Sequence, residues 1–203
     1  SKDGLSSIGS NIYQLNVPMT IRGRMLAEYA VEGLGFESFI LLAPADEYGT
    51  NMTEVFSAAV EDLGGEIVLQ KWYFEGAEDL KAQFTDFRKA GIRRMLQDSS
   101  IVIVPEDEYE AMYEDAPLVD GVLHVDKSIT GLVDSTDLAV TSIDGFFLPV
   151  YTEDLQYIIP QISYYNIDAA LFGGSFWHDK DILDAHQQYC DGVVFVSDSY
   201  TDP

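Results

Sequence analysis

Cysteine, histidine and basic residues are scarce in this 203-residue chain, and each scarcity removes a class of function. The single cysteine, Cys190, has no second thiol with which to close an internal disulfide or build a cysteine metal cluster. A metal centre would have to draw on His124, His178 and His186. The last two are eight residues apart and can share a helical face, a spacing common on solvated surfaces, so no metal is expected. Only 11 residues are Lys or Arg against 35 Asp or Glu, a formal charge of -24, which repels phosphate backbones and argues against any nucleic-acid partner. No apolar run reaches the roughly 20 residues needed to cross a bilayer. The polar start Ser1-Lys2-Asp3-Gly4 does not open a secretory signal.

Motifs of catalysis are missing as well. There is no Gly-x-Ser-x-Gly elbow, no cysteine beside a candidate base, and no Gly-x-Gly-x-x-Gly turn after a strand. Asp46, in an acidic turn, suggests a phosphoacceptor. The turns after Phe74, Val150 and Phe172 do not supply the acidic pair and lysine such a site needs. No enzyme activity, catalytic residue or cofactor is therefore expected.

What the chain has is apolar material: 47% hydrophobic and 12% aromatic residues, enough to offset the conformational entropy lost on folding. Residues 18–34 place Ile21, Met25, Leu26, Tyr29 and Ala30 at helical spacing behind a Thr20 cap, and Gly33 and Gly35 close the segment. Residues 39–42 form an unbroken apolar run ending at Pro44, the pattern of a strand buried on both faces. A second helix carries Met52, Val55, Phe56, Ala59 and Leu63 on one side, and strand 67–74 follows Gly64-Gly65. A third begins near Glu78, turns Leu80, Phe84 and Phe87 inward, and meets a breaker at Gly91. Further strands are expected at 101–104, 122–125, 146–150, 169–172 and 193–196. A helix carrying Leu155, Ile158, Ile159, Ile162 and Tyr165, bent by Pro160, and another at 179–189 separate the last three.

Such alternation predicts an α/β fold, a three-layer αβα sandwich on a mostly parallel sheet, forming one domain over residues 1–203. Residues 105–144, rich in acids, Ser and Thr, interrupt the alternation and read as an insertion. In open parallel sheets ligands settle beyond the carboxyl ends of the strands. Three turns there stand out, at 43–49, 149–154 and 173–177. Each sets aromatic rings or hydroxyls beside a helix N-terminus, whose amides and dipole suit a carboxylate. The plainer reading is that Asp46, Thr152 and Ser175 cap those helices.

The stretch Arg22-Gly23-Arg24-Met25-Leu26-Ala27-Glu28-Tyr29-Ala30-Val31, then Leu41-Leu42-Ala43-Pro44 through Tyr48-Gly49, then Phe74-Glu75-Gly76-Ala77-Glu78-Asp79-Leu80, resembles the type 1 periplasmic binding-protein superfamily. The later segments Phe147-Leu148-Pro149, Leu171-Phe172-Gly173-Gly174 and Gly192-Val193-Val194-Phe195-Val196 agree. That superfamily includes the branched-chain amino-acid receptors of ABC transporters. The resemblance covers one lobe only. It implies a missing second lobe, a small polar ligand such as an amino acid clamped between the two, and a periplasmic or extracellular bacterial location. A membrane transporter or envelope protein is the implied partner. It also implies ligand-binding roles for Tyr48, Tyr151, Gly174, Ser175 and Trp177, with chain crossings near 11–15 and 197–200. The alternative is a ligand-free interaction module that regulates an envelope partner. A sugar or amide enzyme on a flavodoxin-like frame stands third.

Overall fold

The computed structural model describes residues 17–74, 76–98, 118–119, 123–124, 139–177, 184 and 192–196. In chain order the elements are helix α1 (Met19–Glu28), strand β1 (Ser38–Pro44), α2 (Glu47–Asp62), β2 (Glu66–Tyr73), α3 (Lys81–Asp98), β3 (Leu118–Val119), β4 (Leu123–His124), β5 (Gly145–Leu148), α4 (Thr152–Tyr164), β6 (Ala170–Gly173) and β7 (Val194–Phe195). A π-helical turn, Tyr29–Gly33, extends α1.

The five strands of the main sheet run β2-β1-β5-β6-β7, all parallel, while β3 and β4 pair antiparallel with each other. Period-two alternation divides the core between the two faces of the main sheet. Phe39, Leu41, Phe147 and Phe172 join the cluster under α1 and α2, built with Leu26, Met52 and Phe56. Ile40, Leu42, Phe146, Leu148 and Leu171 join the cluster under α3 and α4, built with Phe84, Phe87, Leu155, Ile158 and Ile159. The expected three-layer α/β sandwich with a parallel sheet is the fold observed. Each large apolar side chain fully buried here is worth about 1.5–3 kcal/mol of transfer free energy.

Local expectations fared unevenly. α3 starts at Lys81, three residues later than expected, and turns Phe84 and Phe87 inward behind the buried Leu80 as anticipated, yet it passes Gly91 unbroken. The glycine is there for packing, since a Cβ at that point would lie 2.1 Å from Val140 Cγ1. α4 likewise continues through Pro160, whose ring sits on the exposed side. In α1 the inward stripe is displaced. Leu26, Ala27 and Ala30 are buried with Arg22 and Gly23, whereas Ile21, Met25 and Tyr29 are 48%, 56% and 48% exposed. The cause is close helix packing: a Cβ on Gly23 would stand 3.1 Å from Val55 Cγ1, so α1 faces α2 through its smallest residue. Pro18, not Thr20, precedes the first turn, and no side chain caps it.

Of the segment 105–144, residues 105–117, 120–122 and 125–138 lie outside the described residues, as do strand 101–104, all of helix 179–189 except Asp184, and the crossings at 11–15 and 197–200. Its last residues pack into the core. Val140 and Ile143 are buried, and Val140 bridges Ile167 in parallel. The Asp144 carboxylate accepts hydrogen bonds from Glu37 N–H, Ser38 N–H and the Ser38 hydroxyl at 3.0, 2.9 and 2.7 Å, locking the start of β1 to the lead-in of β5.

Candidate functional site

In chain order the sheet reads second, first, third, fourth, fifth, so the order reverses between β1 and β5. A crevice opens at such a reversal, beyond the carboxyl ends of the two strands. The turn after β1 is held by Asp46, whose carboxylate accepts from Gly49 N–H at 2.8 Å and caps α2. Gly49 is required there, because a Cβ would lie 2.1 Å from the Pro44 carbonyl oxygen. This fixes the Tyr48-Gly49 pair: Gly49 lets the helix start against the strand end, and Tyr48 is then carried over the crevice.

Three rings meet there. Tyr48 lies 5.4 Å from Tyr151 and 5.0 Å from Phe176, and Tyr151 lies 4.9 Å from Phe176, centroid to centroid. The Tyr151 hydroxyl donates to the second oxygen of Asp46 at 2.8 Å, tying the turn after β5 to the turn after β1. The Thr152 hydroxyl donates to the Phe176 carbonyl at 2.5 Å and ties in the turn after β6. Tyr48 is half-buried against Gly174, where a Cβ would come within 2.2 Å of its hydroxyl oxygen. That hydroxyl lies close to Ser175 and meets no partner at hydrogen-bonding geometry. Burial raises its pKa to about 12. Burial, then the hydrogen bond to Asp46, raises Tyr151 as well. Beneath the rings, Ser175 is buried and its hydroxyl oxygen accepts from Arg22 Nη1 at 2.5 Å, while Arg22 Nε donates to the Val17 carbonyl at 2.7 Å.

Two open grooves flank the Tyr151–Asp46 contact. One, of about 880 Å³, runs between the starts of α1 and α2 and is lined by Asp46, Glu47, Tyr48, Glu54, Tyr151 and Phe176, among others. The other, of about 840 Å³, is lined chiefly by Asp46, Phe74, Glu78, Tyr151, Glu153 and Tyr157. At its floor the buried Tyr73 hydroxyl donates to Asp154 at 2.6 Å.

The structure brings Tyr48, Tyr151, Gly174 and Ser175 together and removes Trp177 from the set. Trp177 is 0% exposed, packs into the cluster under α3 and α4, and donates its indole N–H to the Leu148 carbonyl at 3.0 Å. Gly173 makes the room, since a Cβ there would lie 2.5 Å from the indole ring. The preceding residue, Phe176, 36% exposed, takes the place on the edge. Adjacent aromatics at a strand end point to opposite sides; Phe176 and the Asp46–Tyr151 contact are what sequence reasoning missed. Two of the helix starts that suit a carboxylate by their dipole carry acids of the chain itself, and the start of the helix after 173–177 lies outside the described residues. Asp46 and Glu47 already occupy the α2 terminus, and Glu153 and Asp154 the first turn of α4. Asp46 does cap, whereas Thr152 bonds the Phe176 carbonyl and Tyr151 holds the cap position of its helix; the start of the helix that Ser175 would cap lies outside the described residues. Among the described residues no group of His, Cys, Asp or Glu is arranged to hold a metal. His178, His186 and Cys190 lie outside them.

No family model matches this chain, and no match is found among curated proteins. Solved structures do match. The branched-chain amino acid transporter substrate-binding protein LivJ of Streptococcus pneumoniae, in complex with isoleucine, is similar over 96% of this chain at 15% identity and a TM-score of 0.59. The leucine-binding protein LivK of Thermotoga maritima is similar over 93%, at 11% identity and a TM-score of 0.62. A type 1 periplasmic binding protein of Bordetella pertussis is similar over 85%, at 13% identity and a TM-score of 0.54. The match covers 41%, 41% and 32% of those proteins, so the chain spans less than half of each. The chain therefore has the fold of about one lobe of a type 1 periplasmic binding protein.

Proposed function

We propose that this chain is the ligand-binding lobe of an extracytoplasmic solute-binding or sensory protein, which closes on a small polar solute together with a second lobe and performs no chemistry on it. The observation that carries this reading is the ring cluster Tyr48, Tyr151 and Phe176, joined to Asp46 at the reversal of strand order. Tyr151 and Phe176 offer apolar faces to the solute, and Gly174 and Ser175 hold Tyr48 and Arg22 in support beneath them. The fold is shared with proteins whose names describe amino-acid transport, which supports a bacterial envelope location and a membrane transporter as partner.

A ligand that binds only the folded state raises the unfolding temperature by mass action. A thermal-shift screen of small polar solutes on the protein with both lobes is expected to yield at least one concentration-dependent increase. The increase should be lost in Tyr151→Ala/Phe176→Ala. A screen in which no solute acts, or in which the double variant responds like the parent, defeats the reading.

The interaction-module alternative draws on a different surface. Val17, just before α1, Ile21 and Met25 within it, and Tyr29 in the π-helical turn after it recur every four residues and are all more than two-fifths exposed. If Ile21→Asp/Met25→Asp abolishes capture of an envelope partner while no solute shifts the melting curve, that alternative replaces the first reading.

A further inference from the structure

The few basic residues of the chain are unevenly placed. Helix α3 carries Lys81, Arg88, Lys89, Arg93 and Arg94, five of the eleven, against Asp86 and Asp98, so this one element is positive in a molecule of formal charge -24. Its neighbour on the same side of the sheet, α4, holds acids in its first turn alone, Glu153 and Asp154. The opposite layer is acidic: α1, its π-helical turn and α2 set Arg22 and Arg24 against Glu28, Glu32, Glu47, Glu54, Glu61 and Asp62. On the flank of α3 toward β2, Arg94 pairs with Glu66, and Asp86 pairs with Lys71. Lys81, Lys89 and Arg93 form no ion pair with another described residue. With Thr85 they recur every four residues, which sets them along one ridge of the helix. Lys81 and Arg93 are exposed and Lys89 partly so. Two tyrosines of α4, Tyr157 and Tyr164, add 37% and 81% exposed rings to the same layer. Tyr164 stands close to α3, because its neighbour Tyr165 stacks on Phe84 at 5.6 Å and gives its carbonyl to Arg88 at 2.7 Å.

The two grooves beside Tyr151, and a third beside Asn166 and Asp168, take no lining residue from α3, so the ridge is a convex surface and suits an extended anionic partner better than a small anion. A stable protein interface centres on buried apolar or aromatic anchors, and no exposed large apolar side chain lies on α3. Tyrosine rings, apolar in the body and polar at the tip, settle at the level of lipid headgroups. We propose that the α3–α4 face docks on an anionic lipid surface, with Lys81, Lys89 and Arg93 among the headgroup phosphates and Tyr164 at the same depth. The net charge does not forbid this. At physiological ionic strength the Debye length is about 8 Å, whereas α1 and α2 lie across the sheet, more than a helix diameter of about 10 Å away. The membrane therefore meets the near layer. Among the described residues no helix is long and apolar enough to cross a bilayer, so this docking is peripheral. The face is separate from the strand-end crevice and does not depend on solute binding there.

The test is sedimentation of this chain with vesicles of phosphatidylcholine alone and of phosphatidylcholine and phosphatidylglycerol in equal parts. Only the mixed vesicles should carry the chain down, and salt near 1 M, where the Debye length shrinks to about 3 Å, should release it. Lys89→Gln and Arg93→Gln should each weaken binding about five-fold, the effect of one cation at an anionic surface. Arg24→Gln removes the same charge from an exposed position on the opposite layer and should change binding by less than about two-fold. Tyr164→Ser should weaken it with the fold intact, since that ring is largely exposed. Equal sedimentation with both kinds of vesicle, or a Lys89→Gln/Arg93→Gln variant that binds like the parent, overturns the inference. If the mixed vesicles leave the chain in solution while polyglutamate shifts the α3 amides in NMR, the ridge takes an acidic protein and the lipid assignment is wrong. If neither probe acts, the ridge is no docking surface. None of these outcomes bears on the solute screen above.

Discussion

Gly49 and Tyr48 show how two adjacent residues can carry opposite costs. At Gly49 the obstacle to a side chain is backbone, the Pro44 carbonyl, which cannot swing aside. Gly49→Ala is therefore expected to destabilise the fold by about 1–3 kcal/mol, the usual cost of overpacking, and to displace the start of α2. At Tyr48 the buried hydroxyl lies beside Ser175 without a well-formed hydrogen bond, so removing it gives up little. Tyr48→Phe should leave stability unchanged or slightly raised in urea unfolding, and it should relieve part of the cost of Gly174→Ala. A Cβ on Gly174 lies 2.2 Å from the Tyr48 hydroxyl oxygen but 3.5 Å from the ring carbon that bears it. A double-mutant cycle with no coupling between the two would refute this contact. The Tyr48-Gly49 pair was legible in the sequence through the resemblance to the periplasmic binding-protein superfamily. The burial of Trp177 was not, because the choice of which neighbour turns inward is made by the space left at Gly173.

Among elements, β1 is the strand to which the rest is registered. It pairs with β2 along its length and with β5 through Phe39, Ile40 and Leu41. Its first residue is held from the side by Asp144, which receives two backbone amides and one hydroxyl. Asp144→Ala leaves those donors without their charged acceptor. We expect a loss of about 1–3 kcal/mol in denaturant unfolding with an unchanged m-value. Hydrogen exchange should quicken at Glu37 and Ser38 and stay slow at Leu41; equal quickening at Leu41 would mean that the aspartate supports the whole strand. The helices and strands with strong periodicity, α2, α3, α4, β1 and β5, were legible for the ordinary reason that their apolar spacing matches one face. The orientation of α1 was not, because close approach at Gly23 outweighed the larger side chains of Ile21 and Met25.

Over the whole molecule, the carboxyl edge of the sheet collects three tyrosines whose neutral forms are favoured. Tyr48 is raised to about 12 by burial, and Tyr151 and Tyr73 are raised by burial and by the hydrogen bonds they donate to Asp46 and Asp154. In the unfolded chain each titrates near 10. A folded pKa above the unfolded one adds stability that is complete below about pH 10 and drains away as pH rises through the folded value. Unfolding free energy should thus be insensitive to these groups from pH 6 to about 9 and fall above about 10. Tyr73→Phe should flatten the fall, because Tyr73 is the buried member of the three. Tyrosinate absorbance that appears in the folded protein at the ordinary pKa, with no loss of stability, would contradict the burial of these hydroxyls.

Composition and periodicity by themselves determined that this chain builds a parallel α/β sandwich. They also set a formal charge of -24, which repels phosphate backbones, and marked the strand-end turns as the candidate site, while the resemblance singled out Tyr48 and Tyr151 within them. Those properties are additive or local: charge sums along the chain, and a buried strand must be apolar whatever its neighbours are. Tertiary structure alone decided that strand order reverses between β1 and β5, that Phe176 stands where Trp177 was expected, and that Asp46 joins two turns 105 residues apart. These depend on which surfaces meet across long separations, and a ring, a glycine gap or a carboxylate has no preferred partner until packing brings one within reach.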